Sequence, residues 1–87
     1  MILGIVRDNI VSSKKMPELV GKKLLVVERW NPEMKCGTGE YYAAVDMVGA
    51  GVGDIVIGSL DPMHLRHSEE SVQRLGLAIV GIVDPLS

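Results

Sequence analysis

Residues 44–57, AVDMVGAGVGDIVI, place three glycines within five positions, between two apolar stretches rich in β-branched residues. Val and Ile favour strands, and glycine supplies the positive φ angles that tight connections need. A phosphate-binding loop leads from a strand into a helix, whereas this loop leads into a second strand. The stretch therefore predicts a structural loop in which at least one glycine has a positive φ or lies close to neighbouring backbone. The residues assigned to this loop are Asp46, Gly49, Gly51, Gly53 and Asp54.

Outward from this unit, apolar runs and turn residues continue to alternate along the chain. Five strands are predicted, at residues 2–11, 23–30, 40–47, 54–57 and 77–83. The turns between or beside them are predicted at 14–17, 31–32, 37–39, 49–53 and 61–62. One short helix is predicted between the last two strands, starting at Ser68 and stopping at Gly76. This pattern predicts one all-β domain over residues 1–87, a small five-stranded OB-like barrel with one short helix.

Length and composition narrow the class of protein further. The chain has 87 residues, enough for one domain, and Cys36 is its single cysteine, which excludes a disulfide within the chain and is typical of a reducing compartment. A net charge of −2 provides no attraction to nucleic acid or to anionic membranes. No apolar run approaches the ~20 residues of a membrane span, and the N-terminus lacks the basic region of a signal peptide. These features predict a soluble, cytoplasmic protein.

Two of the predicted strands are apolar on both faces. Residues 24–27 and 78–83 lack the alternation of apolar and polar residues that a strand wetted on one side shows. The interior of a small barrel covers one face of each strand, so we expect the other face to pack against a second copy of the chain. The predicted interface residues are Leu24, Leu25, Val26, Val27, Ala78, Ile79, Val80 and Ile82.

The sequence also offers candidates for two other kinds of site, a nucleic-acid-binding surface and a metal site. Trp30, Tyr41 and Tyr42 lie where OB folds place residues that stack on single-stranded nucleic acid, although the two adjacent tyrosines must point to opposite faces. His64 and His67 are three residues apart, but a zinc site takes three or four ligands and no convincing third is present. Motifs of the forms G-x-S-x-G, H-E-x-x-H and C-x-x-C are missing. The sequence therefore predicts no catalytic, cofactor or metal site, and leaves nucleic-acid binding as the alternative function.

Several segments taken together resemble one protein family. They are GIV at 4–6 with IVSS at 10–13, PELVGKKLLVV at 17–27, AVDMVGAGVGD at 44–54 and AIVGIVD at 78–84. In combination they resemble the pentameric vertex proteins of bacterial microcompartment shells, which occur in carboxysomes and in ethanolamine- and propanediol-type metabolosomes.

The resemblance implies a cyclic homopentamer at the vertices of a cytoplasmic shell, beside hexameric shell proteins. It implies neither enzyme activity nor a cofactor, and neither nucleic acid nor membrane as a partner. The chain departs from the family over residues 58–66, where the family has a Gly-Ser-Ser-Ala-Arg-like turn. Gly58 and Ser59 match the start of that turn and are the candidates for lining the central opening of the ring.

Overall fold

The computed structural model describes residues 1–11, 21–60 and 76–84, which contain five strands. The strands are β1 (Ile2–Asn9), β2 (Lys23–Asn31), β3 (Cys36–Asp46), β4 (Ile55–Ser59) and β5 (Gly76–Val83). They form a closed barrel in the order β1-β2-β3-β5-β4, in which β3 and β5 are parallel and the other pairs are antiparallel. The predicted five-stranded barrel is confirmed, and the helix predicted from Ser68 lies outside the described residues.

The start of the third strand differs from the prediction. Residues 37–39, predicted as a turn, belong to β3, and the turn of the β2–β3 hairpin lies at residues 32–35. Asn31 begins this turn, because its side-chain oxygen accepts the backbone N–H groups of Glu33 and Met34 at 3.0 and 3.1 Å. Gly37 and Gly39 resemble turn residues, but they are needed for a contact with β2 that is distant in sequence.

The hairpin extends past the strands that flank it. The register of β1 with β2 runs as far as Gly4 opposite Arg29, and that of β3 with β5 begins at Ala43. Between these points β2 and β3 pair with each other alone among the described strands. We call residues 30–41 the hairpin arm.

The barrel interior is built from small and medium aliphatic residues. Leu25 and Val27 alternate along β2 toward the interior, and each is fully buried. The glycine-rich loop between β3 and β4 adds Ala50, which is also fully buried. Burying apolar surface in this way stabilises the fold by ~25 cal/mol per Å². Within the part of the chain that the structure describes, the interior cluster is Val6, Leu25, Val27, Ala44, Ala50, Val56, Leu77 and Ile79.

Candidate assembly surface

An apolar row crosses the outer face of three neighbouring strands. Leu24, Val45 and Ala78 are register partners across β2, β3 and β5, and they are 6%, 3% and 0% exposed. Each one follows or precedes an interior residue, so its side chain points away from the interior. Ile10 and Val80 pack against this outer row. The single chain therefore already covers part of its own outer face.

The eight predicted interface residues occupy three kinds of position in the structure. Three are fully buried in the barrel interior: Leu25, Val27 and Ile79. Four lie on the outer face, in the outer row or half-buried beside it: Leu24, Val26, Ala78 and Val80. Ile82 is 37% exposed and pairs in register with the interior residue Val56, near the end of β5. The four outer-face residues and Ile82 remain predicted contact residues.

A second apolar surface lies at one end of the barrel. The glycine-rich loop starts where the Met47 N–H donates to the carbonyl of Ile79 in β5, and it ends at Ile55, the register partner of Val83. The loop thus passes around the end of β5. Five residues there are between 37% and 59% exposed, and we call them the apolar rim: Met47, Val48, Val52, Ile82 and Val83.

Two glycines of the loop adopt conformations that other residues avoid. Gly49 has a φ of 87° and Gly53 a φ of 94°, which confirms that at least one of the three glycines has a positive φ. A Cβ on either residue would meet nothing within 4 Å, so the requirement for glycine comes from the backbone angle alone. Gly51 has no positive φ, and a Cβ there would touch the Asp54 carboxylate at an ordinary 3.8 Å.

Asp46 holds the loop in place. One of its carboxylate oxygens accepts the backbone N–H groups of Val48 and Gly49, both at 3.1 Å, and the other lies 3.6 Å from the Lys23 ammonium. Lys23 also donates to the carbonyl of Ala50. Burial raises the pKa of Asp46, but hydrogen bonds from Val48, Ala50 and Gly49 and the charge of Lys23 together outweigh it and lower the pKa below 3.8. The carboxylate thus fixes the loop so that Ala50 enters the interior.

Several N–H groups of the loop donate to acceptors of the same chain. Besides the bonds to Asp46, the Gly51 N–H donates to the Asp54 carboxylate at 2.8 Å, and the Gly53 N–H donates to the carbonyl of Val6 at 2.8 Å. A phosphate site needs such groups directed at the ligand. The arrangement therefore favours a structural role for the loop.

A buried carboxylate on β2 escaped the sequence analysis. Glu28 is 7% exposed, and it accepts hydrogen bonds from Arg7 Nε on β1 and from the Gly39 N–H on β3, both at 2.8 Å. The bond from Arg7, then the bond from Gly39, lowers the pKa of Glu28 and outweighs the effect of burial. A Cβ on Gly37 would overlap the same carboxylate. We call Arg7, Glu28, Gly37 and Gly39 the Glu28 clamp.

The clamp does leave a signal in the sequence. Gly37 and Gly39 are spaced two apart, so they lie on one face of a strand, and Glu28 directly follows the apolar run at 24–27. Glycine within a strand often marks a close approach by another group. A charged residue facing two such glycines across a hairpin indicates a buried carboxylate.

The three aromatic side chains divide between the two faces, as predicted for the tyrosines. Tyr42 packs against the interior cluster, and its hydroxyl donates to Glu40 at 2.7 Å. Tyr41 is 58% exposed and lies opposite Glu28. Trp30 lies opposite Gly37, so it shares the outer face with Tyr41. Tyr42 is therefore poorly placed to join the other two in stacking on nucleic-acid bases.

The remaining candidates are placed as follows. Gly58 and Ser59 end β4 and are buried in the single chain, with the Cβ position of Gly58 2.5 Å from Leu77 in the interior. Their assignment to a central opening stays a prediction. His64 and His67 lie outside the described residues. Within residues 1–11, 21–60 and 76–84 there is no cluster of three His, Cys, Asp or Glu suited to a metal, and no helix suited to crossing a membrane.

Comparison with known proteins gives consistent matches over the full length. Residues 1–84 match the family model described as "Ethanolamine utilisation protein EutN/carboxysome". The chain is 40% identical over 92 residues to the bacterial microcompartment shell vertex protein PduN of Salmonella typhimurium, and the alignment covers 100% of this chain and 99% of PduN.

Solved structures agree with the sequence matches. The pentameric microcompartment shell protein GrpN from Rhodospirillum rubrum superposes with a TM-score of 0.80 at 40% identity, over 100% of this chain and 98% of GrpN. CcmL of Gloeobacter violaceus superposes with a TM-score of 0.79 at 31% identity, over 100% of this chain and 89% of CcmL.

Proposed function

Because the chain belongs to the EutN/carboxysome family, we propose that it is a structural subunit that forms cyclic homopentamers and caps the vertices of a bacterial microcompartment shell. The family resemblance seen in the sequence is thereby confirmed. The observation that carries the proposal is the end-to-end match, in sequence and in barrel geometry, to GrpN, a pentameric shell protein.

The surface of the barrel supports assembly into a ring. Its outer face carries Val26 and Val80, both half-buried beside the outer row, and one end carries the exposed apolar rim. Apolar patches of this kind on a small chain favour association. When one side of a subunit contacts a different side of its neighbour, the contact is heterologous and closes into a ring if the rotation allows.

Chemistry and geometry support two further parts of the proposal: a structural role without catalysis, and hexameric neighbours in the shell. The carboxylates Asp46, Asp54 and Glu28 are engaged by backbone N–H groups or cations of the same chain, which supports a structural rather than an enzymatic role. A sheet of hexagonal tiles closes only where five-fold units create corners. Hexameric shell proteins are therefore the expected neighbours of the ring.

Native mass spectrometry of the purified chain tests the ring. We expect a species of five times the subunit mass, free of metal and nucleotide. A stable monomer at micromolar concentration would contradict assembly through the apolar surfaces. A closed hexamer would be compatible with the apolar surfaces but would refute the vertex assignment.

A matched pair of substitutions tests the contact face. Val26→Lys puts a charge on the half-buried outer face of β2, whereas Val11→Lys makes the same change at a residue that is 94% exposed. Burying an unpaired charge in a contact is costly, so we expect Val26→Lys to dissociate the ring and Val11→Lys to leave it intact. An intact ring in the Val26→Lys protein would exclude this face of β2 from the interface.

Nucleic-acid binding is the alternative, and the geometry does not favour it. The net charge is −2, and Tyr42 packs on the interior, away from Trp30 and Tyr41. A fluorescent single-stranded oligonucleotide should show no micromolar binding at physiological salt. Binding that weakens steeply as salt is added would revive the alternative.

A further inference from the structure

Among the described strands, the hairpin arm has no backbone pairing with β1, β4 or β5. Its backbone pairs are those of β2 with β3, among them Trp30 with Gly37 and Asn31 with Cys36. A two-stranded hairpin without its own core is marginally stable in water. The direction of the arm relative to the barrel therefore depends on contacts at its base.

The Glu28 clamp is located at this base and connects three strands. Glu28 belongs to β2, Arg7 to β1, and the Gly39 N–H to the arm itself. The β2–β3 register is irregular between Glu28 and Trp30, so the path of the arm changes at this point. Charge-assisted hydrogen bonds such as those made by Glu28 are the stronger kind, and here they bridge barrel and arm directly.

The outer face of the clamp is continuous with the predicted contact face. Along β2, Val26 and Glu28 are two residues apart and so lie on the same face. Tyr41, opposite Glu28, and Trp30, opposite Gly37, extend that face into the arm. Tyr41 is 58% exposed, so the arm carries an aromatic contact surface.

We propose that Glu28 is a positioning residue for assembly: the clamp holds the arm in one direction, so that its Trp30 and Tyr41 face docks on the neighbouring copy in the ring. The inference rests on the proposed pentamer and adds to it a named element and a named neighbour. A rigid arm loses less conformational freedom on docking than a mobile arm does. Loss of the clamp therefore weakens the ring even when the barrel stays folded.

The chain provides its own probe for the arm. Cys36 is the only cysteine, is exposed and lies in the arm, so a nitroxide spin label can be attached there without any substitution. The electron paramagnetic resonance line shape then reports motion of the arm. Native mass spectrometry over a dilution series reports ring stability for the same labelled samples.

The variants compared are Glu28→Ala, the milder Glu28→Gln, and Glu33→Ala as an exposed acidic control in the hairpin turn. Glu28→Gln keeps an oxygen for the Gly39 N–H but loses the charge that pairs with Arg7. For Glu28→Ala we expect increased label mobility. We also expect its ring to dissociate at a protein concentration about tenfold higher than that at which the wild-type ring dissociates. We expect intermediate values for Glu28→Gln, and wild-type values for Glu33→Ala.

The two readouts separate the possible failures. Unchanged label mobility in both Glu28 variants would overturn the clamp. Increased mobility with an unchanged ring would overturn the docking role of the arm. A wild-type protein that is not pentameric would refute the proposed function, while the label would still test the clamp in the single chain. Thermal unfolding by circular dichroism shows whether the barrel of each variant is folded, and Glu28→Gln carries the test if Glu28→Ala does not fold.

Discussion

Replacing each glycine of the β3–β4 loop by alanine should separate the effect of backbone angle from the effect of space. At Gly49 and Gly53 a methyl group meets nothing within 4 Å, but φ is 87° and 94°. An L-residue in a left-handed conformation costs about 1–2 kcal/mol. Alanine also restricts the unfolded chain, which offsets about 0.4–1 kcal/mol of that cost. We therefore expect a net destabilisation of about 0–1.6 kcal/mol for each variant.

Gly51→Ala is the matched control two residues from either site. Gly51 has no positive φ, and its new methyl group would make an ordinary contact, so the restriction of the unfolded chain should leave it neutral or up to about 1 kcal/mol more stable. The three variants share the same chemical change. The difference between Gly51→Ala and the other two therefore measures the cost of the left-handed angle.

Urea unfolding followed by circular dichroism measures these differences. All variants must be compared at one protein concentration, because the apparent stability of an oligomer depends on concentration. A difference of 1 kcal/mol corresponds to about 4–8 °C in Tm for a domain of this size, so a thermal melt provides a second measurement. Equal midpoints for Gly51→Ala and Gly53→Ala would refute the argument from the backbone angle.

Three further predictions concern the interior, the clamp and the loop carboxylate. Ile79 is fully buried, so Ile79→Val should cost about 0.5–1.5 kcal/mol and Ile79→Ala about 2–5 kcal/mol; equal effects in urea unfolding would contradict close packing there. Gly37→Ala should destabilise the wild type by displacing the Glu28 carboxylate but be tolerated beside Glu28→Ala, and additive effects in this double-mutant cycle would disprove the contact. The pKa of Asp46 in the folded chain is lowered from the ordinary value of 3.8. The stability that Asp46 contributes is therefore fully present at pH values well above 3.8, and it is lost as the pH falls through the pKa of the folded chain. Asp46→Asn should therefore lose less stability than the wild type when the pH is lowered below 3.8. Urea unfolding midpoints measured over a series of acidic pH values test this, and an equal pH dependence of the two proteins would count against the role of the Asp46 charge.

The strands and the loop were predictable because their signals are local. Runs of Val and Ile bounded by turn residues define strands within a few positions, and three closely spaced glycines define a connection. The sequence even indicated the positive φ found at Gly49 and Gly53. What it could not indicate is the long-range contact that holds the loop, because the bond from Lys23 to the carbonyl of Ala50 spans 27 residues.

The turn at residues 37–39 was predicted wrongly because the reason for its glycines is a long-range contact. Gly37 and Gly39 look like turn residues when only their neighbours are considered. Their reason for being glycine lies on the facing strand, where the Glu28 carboxylate occupies the space over Gly37 and accepts the Gly39 N–H. Local propensity therefore fails at Gly37 and Gly39, where a buried carboxylate on the facing strand decides the residue type.

The structure leaves less apolar strand surface available for assembly than the sequence pattern suggests. The sequence shows that 24–27 and 78–83 need burial on both faces, and it assigns the outer faces to a neighbour. Within one chain, however, Leu24 and Ala78 are already buried, and Ile10 and Val80 pack against the cluster that contains them. Less of the β2 and β5 surface is left for a neighbour than the sequence pattern implies. Among the described residues, the apolar rim and the hairpin arm are the further surfaces that can add buried area to the proposed ring, which is why the rigidity of the arm matters to the proposal.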